Sequence, residues 1–250
     1  MIWLALFTFT HTLPPAVAEP LASQVVRIEE KPGQPTLAFM ADGSVWETPA
    51  DATRSLNRLQ PPSFPPPLPG THGLDTPIED PEILDADRMD RWFRSMNRNI
   101  RYRSQCYNRA HIWAYEAHRD LGIRSEKVFM FFTSRYIREY HYRWWFHAAP
   151  LTRLRTAKGF EERVMDPRFF DRPVALRTWS NDFIKPKTPC KRVLRYSEYA
   201  SAQNEEYCYF ILAPMYVWQP KDLEQQEQDG RIKDRFLPFD VETAYQQAFR

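Results

Sequence analysis

Cys106, His147 and Asp166 have the residue types, and stand in the chain order, of a thiol nucleophile, its base and an orienting carboxylate. Cys106 opens a segment, Gln105 to Leu121, whose apolar residues Ala110, Trp113, Ala114, Ala117 and Leu121 fall on one face of a helix, with Gly122 as its stop. A thiol is a weak nucleophile until ionised. A helix N-terminus and a neighbouring imidazolium both stabilise the thiolate. His147 lies in the aromatic run Tyr142 to Ala149, where a strand would hold its ring still. Asp166 ends the apolar run from Glu162 and is followed by Pro167. On a neighbouring strand it would bind the second ring nitrogen of His147.

Each residue has a plainer reading. A lone Cys is more often core than catalyst, a His among aromatics is usually structural, and Asp before Pro is a common turn former. It is the order and setting of the three together that favours chemistry. His141 is an alternative base. His111 follows Cys106 by about one and a half helical turns and reads as a supporting group. Cys106, His111, His118, His141 and His147 do not fall at the CxxC, HExxH or HxH spacings of a metal site, so no metal and no cofactor are expected.

These residues must be held by ordered elements. Asp85 can cap a helix in which Met89, Trp92, Phe93 and Met96 recur at helical spacing, ended by Asn97 to Asn99. Ile100 to Arg103 reads as a short extended piece. Strands are expected over Lys127 to Phe132, Tyr140 to Ala149, Glu162 to Asp166 and Tyr207 to Leu212, with helices near 220–229 and 240–249. A helix followed by antiparallel strands is an α+β arrangement, with the nucleophile helix packed on the sheet.

The chain has 250 residues, of which 43% are hydrophobic and 26% charged, enough for one core with appendages. Its net charge of +2 gives no reason to expect nucleic acid or an acidic membrane as partner. Residues 1–18 read as a cleaved signal: an apolar start too short to span a bilayer, then Ala16-Val17-Ala18, though without an N-terminal Lys or Arg. Residues 19–60 read as a small extended segment with strands over Gln24 to Glu29 and Thr36 to Met40, then a turn into Val45-Trp46. Residues 61–74 form a Pro-rich linker, and 75–250 the main domain. A secreted or periplasmic location would let Cys190 and Cys208 pair across the 17 residues between them, leaving Cys106 as the odd, free thiol.

Gln105-Cys106-Tyr107-Asn108-Arg109-Ala110-His111, Lys127-Val128-Phe129, Trp145-Phe146-His147-Ala148-Ala149, Val164 to Phe170, Pro173-Val174 and Trp179 together resemble bacterial protein-glutaminase. The stretch runs from Met89 to Asn181. The resemblance implies a transglutaminase/papain-like core and a Cys106–His147–Asp166 triad. It implies hydrolysis of the side-chain amide of protein-bound glutamine to glutamate and ammonia through a Cys thioester. Substrates would be proteins or peptides with exposed glutamine, with no stable membrane insertion once the signal is cleaved. Gln105, Tyr107 and Trp145 are the candidate groove residues, beside Trp144 and Asn108; core packing is the rival reading. A transglutaminase, a cysteine protease and a catalytically silent binding or envelope domain are the competing functions. Residues 19–72 are either a shortened inhibitory segment or an accessory part.

Overall fold

The structure is a computed structural model that describes residues 25–48, 80–101 and 105–249. The expected signal (1–18), the Pro-rich linker (61–74) and residues 102–104 lie outside these. The chain divides into two compact units, 1–67 and 68–250. In the first, β1 (Val25–Glu29), β2 (Thr36–Met40) and β3 (Val45–Thr48) form an antiparallel meander. Its second turn is set by Asp42, whose carboxylate accepts from the Ser44 amide at 2.8 Å. Gly43 sits there at φ 88°, a backbone that favours glycine.

The second unit is a mixed sheet with seven helices around it, among the described residues. It opens with β4 (Ile83–Leu84) and α1 (Ala86–Ser95). Asp85 caps α1 through the Arg88 amide at 2.7 Å, and Met89, Trp92 and Phe93 are its buried stripe. A 3-10 turn over Asn99–Arg101 stands where an extended piece was expected.

The nucleophile helix, α2 (Cys106–Leu121), ends on Gly122 in the left-handed region at φ 61°. Cys106 through Ala114 are all buried, so its first half is enclosed on every side; Leu121, expected on the apolar face, is exposed. β5 (Glu126–Phe132) is buried from Lys127 onward, as a central strand should be. Then come α3 (Ser134–Tyr140), β6 (Phe146–Thr156), β7 (Gly159–Val164), β8 (Val174–Ala175) and α4 (Leu176–Phe183). The chain finishes with β9 (Lys191–Arg192), α5 (Tyr196–Ser201), β10 (Cys208–Pro214), α6 (Pro220–Asp229) and α7 (Pro238–Phe249).

The sheet order is β8-β7-β6-β5-β10-β9, with β4 on β6. The long strands are antiparallel, but β4 on β6 and β9 on β10 run parallel, so the sheet is mixed where an antiparallel one was expected. The expected strand over Tyr140 to Ala149 is corrected at both ends. Thr133 caps α3 through the Tyr136 amide, and the helix takes Tyr140; the strand begins only at Phe146. It then runs through Pro150 instead of stopping there. Pro150 lies where β6 passes from β5 as partner to β7, and its carbonyl accepts from the Met165 amide at 2.9 Å.

Candidate active site

Cys106 is the first residue of α2, with Gln105 as the extended cap residue before it (φ −69°, ψ 155°). Its thiol is free and only 4% exposed. His147 projects from β6 opposite Met130 of β5. Asp166 follows β7 by two residues, in a turn closed by the Phe169 and Phe170 amides on its carbonyl (3.2 and 3.0 Å). Continuing the β6–β7 register would set Asp166 opposite Ala149, on the same strand face as His147.

The three groups meet. His147 Nε2 lies 2.8 Å from Asp166 Oδ2. The Cys106 thiol acts on the same ring and favours its charged form. Burial opposes a charge on the ring, but the bonds to Asp166 and Cys106 outweigh it and raise His147 to about 9. Burial also acts against the Asp166 carboxylate. The His147 and Trp179 bonds prevail there and hold it below its ordinary range. Both shifts describe one ion pair, buried on both sides and charged at neutral pH.

Several residues around this pair were not singled out from the sequence as site components. Trp179 of α4 stacks on the imidazole with centroids 5.3 Å apart, and its indole N–H donates to the same Asp166 oxygen at 3.0 Å. Phe183, one turn later, packs on the ring at 4.6 Å. Phe169 meets it edge-on at 5.2 Å and is 45% exposed, so it forms the open wall. Arg109, one turn along α2 from Cys106, is buried. Burial lowers its pKa, while Cys106 and Asp166 act to raise it. The pairing of Trp179 and Phe183 at helical spacing was the one local signal for the cage.

The groove candidates part company. Gln105 is half-buried at the helix cap. Tyr107 is buried between Phe146 and Trp218, at 6.1 and 6.0 Å, and Trp145 is buried against Phe146 and Phe131. Asn108 is wholly buried, while Trp144 is 41% exposed. His141 is an exposed helix-end residue in the left-handed region (φ 48°). His111 faces Lys127 Nζ at 2.7 Å inside the fold, and burial together with that lysine's charge lowers its pKa. Among the described residues, no group of three or more His, Cys, Asp or Glu side chains is arranged to hold a metal. Cys190 and Cys208 form a disulfide, which leaves Cys106 as the unpaired cysteine.

A helix-borne thiol facing a strand imidazole backed by a carboxylate is the arrangement of a thiol hydrolase or acyl transferase. Comparison with known proteins narrows the class. Residues 86–183 match a family model described as glutaminase, which bears out the resemblance to protein-glutaminase read from the sequence. The fold is similar to the crystal structure of pro-protein-glutaminase (TM-score 0.51, 16% identity), covering 79% of this chain and 82% of that one. The A47Q2 mutant of the same protein gives 0.52 and 17%, covering 78% and 82%. The protein-glutaminase from Chryseobacterium proteolyticum, solved by NMR, gives 0.38 and 20%, covering 54% and 75%. At these identities the likeness is one of fold. No curated protein matches the chain.

Proposed function

We propose that this protein is a protein-glutamine deamidase that works through Cys106, His147 and Asp166. The observation that carries the reading is the buried His147–Asp166 pair at 2.8 Å, with the free, buried Cys106 thiol near enough to act on the same ring. The glutaminase family match over 86–183, which contains all three residues, supports it.

The sulfur attacks the carbon of a glutamine side-chain amide, and a C–S bond forms as the carbonyl oxygen takes the negative charge. The Cys106 backbone N–H, at the open end of α2, is a donor for that oxygen. Collapse breaks the C–N bond, and the imidazolium gives its proton to the leaving nitrogen, which departs as ammonia. The neutral ring then takes a proton from water as its oxygen adds to the thioester. Collapse of that adduct breaks the C–S bond, leaving the Cys106 thiolate beside the imidazolium, and the new carboxyl group loses its proton to solvent as glutamate. Asp166 keeps the ring oriented and compensates its charge throughout. Gln105 at the helix cap and Phe169 at the open wall border the approach to the sulfur.

The domain assignment follows the same reading. Residues 75–250 are the catalytic part, and 19–72 a pro-segment or accessory part joined by the Pro-rich stretch; the fold likeness to a pro-protein supports the first alternative. Residues 1–18 act as an export signal. The Cys190–Cys208 disulfide supports an oxidising compartment. Among the described residues, no helix is long and apolar enough to cross a membrane.

The test is incubation with a glutamine-rich protein, following ammonia release and intact mass. Ammonia with amide-to-acid mass change and no cleavage is expected, and Cys106→Ala abolishes both. Crosslinked products would assign a transglutaminase and fragments a protease. Equal inertness of wild type and Cys106→Ala on a broad protein panel would reject the enzyme reading. Removing residues 19–72 raises the rate if they form an inhibitory pro-segment; an unchanged rate leaves them accessory.

A further inference from the structure

The segment Pro214 to Pro220 and the C-terminal helix lie beyond the family match, and the reaction assigns them no part. They converge on one residue of the nucleophile helix. Asn108 is fully buried, in the first turn of α2. Asparagine is a poor residue for a helix body, because its amide competes with the backbone for hydrogen bonds. Here the amide is engaged on both sides. Its Oδ1 accepts from Trp218 Nε1 at 2.9 Å, and its Nδ2 donates to Gln247 Oε1 of α7 at 2.9 Å.

Trp218 is itself fixed. Its backbone amide donates to Asp222 Oδ2 at 2.8 Å, as does that of Gln219 at 2.9 Å. The carbonyl before it, on Val217, accepts from the buried Lys127 Nζ of β5 at 2.5 Å. Lys233 then joins Asp222 (3.0 Å) to Asp240 in the first turn of α7 (2.8 Å). A closed polar circuit therefore runs from the central strand, through the 214–220 segment, to the last helix, and it grips α2 at Asn108.

We infer that Asn108, held by Trp218 and Gln247, is a positioning residue that sets the rotation of the nucleophile helix and so aims the Cys106 sulfur at His147. Two residues apart on a helix is a turn of about 200°, so the grip acts from the side opposite the thiol. An atom roughly 5 Å from the axis moves by about 1 Å when the helix rotates by roughly 10°. A misplacement of that size costs on the order of 100-fold in rate. The inference rests on the reading of Cys106 as nucleophile and adds what keeps it in register.

The test uses the full chain and four variants. Trp218→Phe removes the N–H donor and keeps a ring. Gln247→Ala removes the acceptor, and Gln247→Glu restores one. Tyr245→Phe breaks a different α2–α7 contact, the Tyr245–Glu116 bond of 2.8 Å, far from the thiol. Two readouts are taken: kcat and KM for ammonia release, and the pH profile of Cys106 alkylation by iodoacetamide. Trp218→Phe is expected to lower kcat about 10- to 100-fold with KM unchanged, and to move the acid limb of alkylation to higher pH. Gln247→Ala acts in the same direction, Gln247→Glu recovers the loss, and Tyr245→Phe changes neither readout. Gln247 lies at the exposed rim, so its pair of variants decides the matter even if Trp218→Phe does not fold. A wild-type alkylation profile in folded Trp218→Phe and Gln247→Ala overturns the inference, and so does an equal loss in Tyr245→Phe. Alkylation needs no substrate. A shifted profile in a protein that releases no ammonia would sink the deamidase reading and leave the positioning role standing.

Discussion

Asp166→Asn isolates the charge of the orienting carboxylate from its geometry. The asparagine oxygen can still accept from both His147 Nε2 and the Trp179 indole, which now share one carboxylate oxygen at 2.8 and 3.0 Å. What the substitution removes is the negative charge that, with Cys106, lifts the ring to about 9 against the opposing effect of burial. Without it, burial, the largest single influence, is opposed by Cys106 alone, and the ring should fall to its ordinary 6.5 or lower. At pH 7.5 a ring titrating near 9 is roughly 97% charged, and one below 6.5 is less than about 10% charged. The loss of imidazolium alone therefore predicts a fall of at least about tenfold in kcat/KM at that pH. The assay is the pH profile of ammonia release from a protein substrate, with thiol alkylation over the same range. The alkaline limb should move from near 9 to the acid side of neutrality. An alkaline limb left in place, in a variant that folds normally, would refute the assignment of Asp166 as the group that holds His147 charged.

Trp179→Phe keeps an aromatic ring on the imidazole but removes one donor from a buried carboxylate. It should destabilise the protein by about 1–3 kcal/mol in urea unfolding, and unchanged stability would mean that the 3.0 Å bond contributes nothing. The His147–Asp166 pair also links stability to pH. A ring raised from 6.5 to about 9 in the fold contributes stability that is complete below pH 6.5 and is lost as pH rises through 9. The lowered Asp166 works the other way: its contribution is present above its ordinary range and lost as pH falls beneath it. On the alkaline side the change is on the order of 3 kcal/mol. Urea unfolding of wild type and Asp166→Asn at pH 6 and 9.5 measures it, with the gap between the two closing at high pH. Parallel profiles would contradict the linkage.

What could be read from the sequence was local. Asp85 followed by Met89, Trp92 and Phe93 specifies a capped amphipathic helix, and α1 forms with that cap and that buried stripe. The same holds for α2 and its Gly122 stop. Cys106, His147 and Asp166 stood out because each sits at an element boundary or in a strand run, and β5, β6 and β7 pair in sequence order. The failures have causes of two kinds. Tyr140 to Trp145 is rich in strand-forming aromatics, yet the Thr133 cap and the spacing of Tyr136, Ile137 and Tyr140 extend a helix into it. Local signals conflicted there, and the cap prevailed. Asn108 is a different case. Its partners lie 110 and 139 residues away, and only the folded chain brings them to it.

The family match ends at Phe183, but the sheet does not. β10 lies between β5 and β9, and it pairs with β5 over seven consecutive residue pairs from Cys208–Phe132 to Pro214–Glu126. Without β10, a central strand buried on both faces would present a bare edge of amides and carbonyls, and Phe129 and Phe131 would lose their cover. The disulfide is anchored in that same strand at Cys208, and Trp218 follows it by four residues. Residues 86–183 therefore carry the reacting groups and the cage around His147, but not the grip on the nucleophile helix. The strand next to β5, the Val217 and Asp222 part of the circuit that Lys127 joins, and the grip on Asn108 all come from the last seventy residues or so. A segment cut at the end of the family match should expose apolar strand surface and lose thiol reactivity together, because the same residues support both.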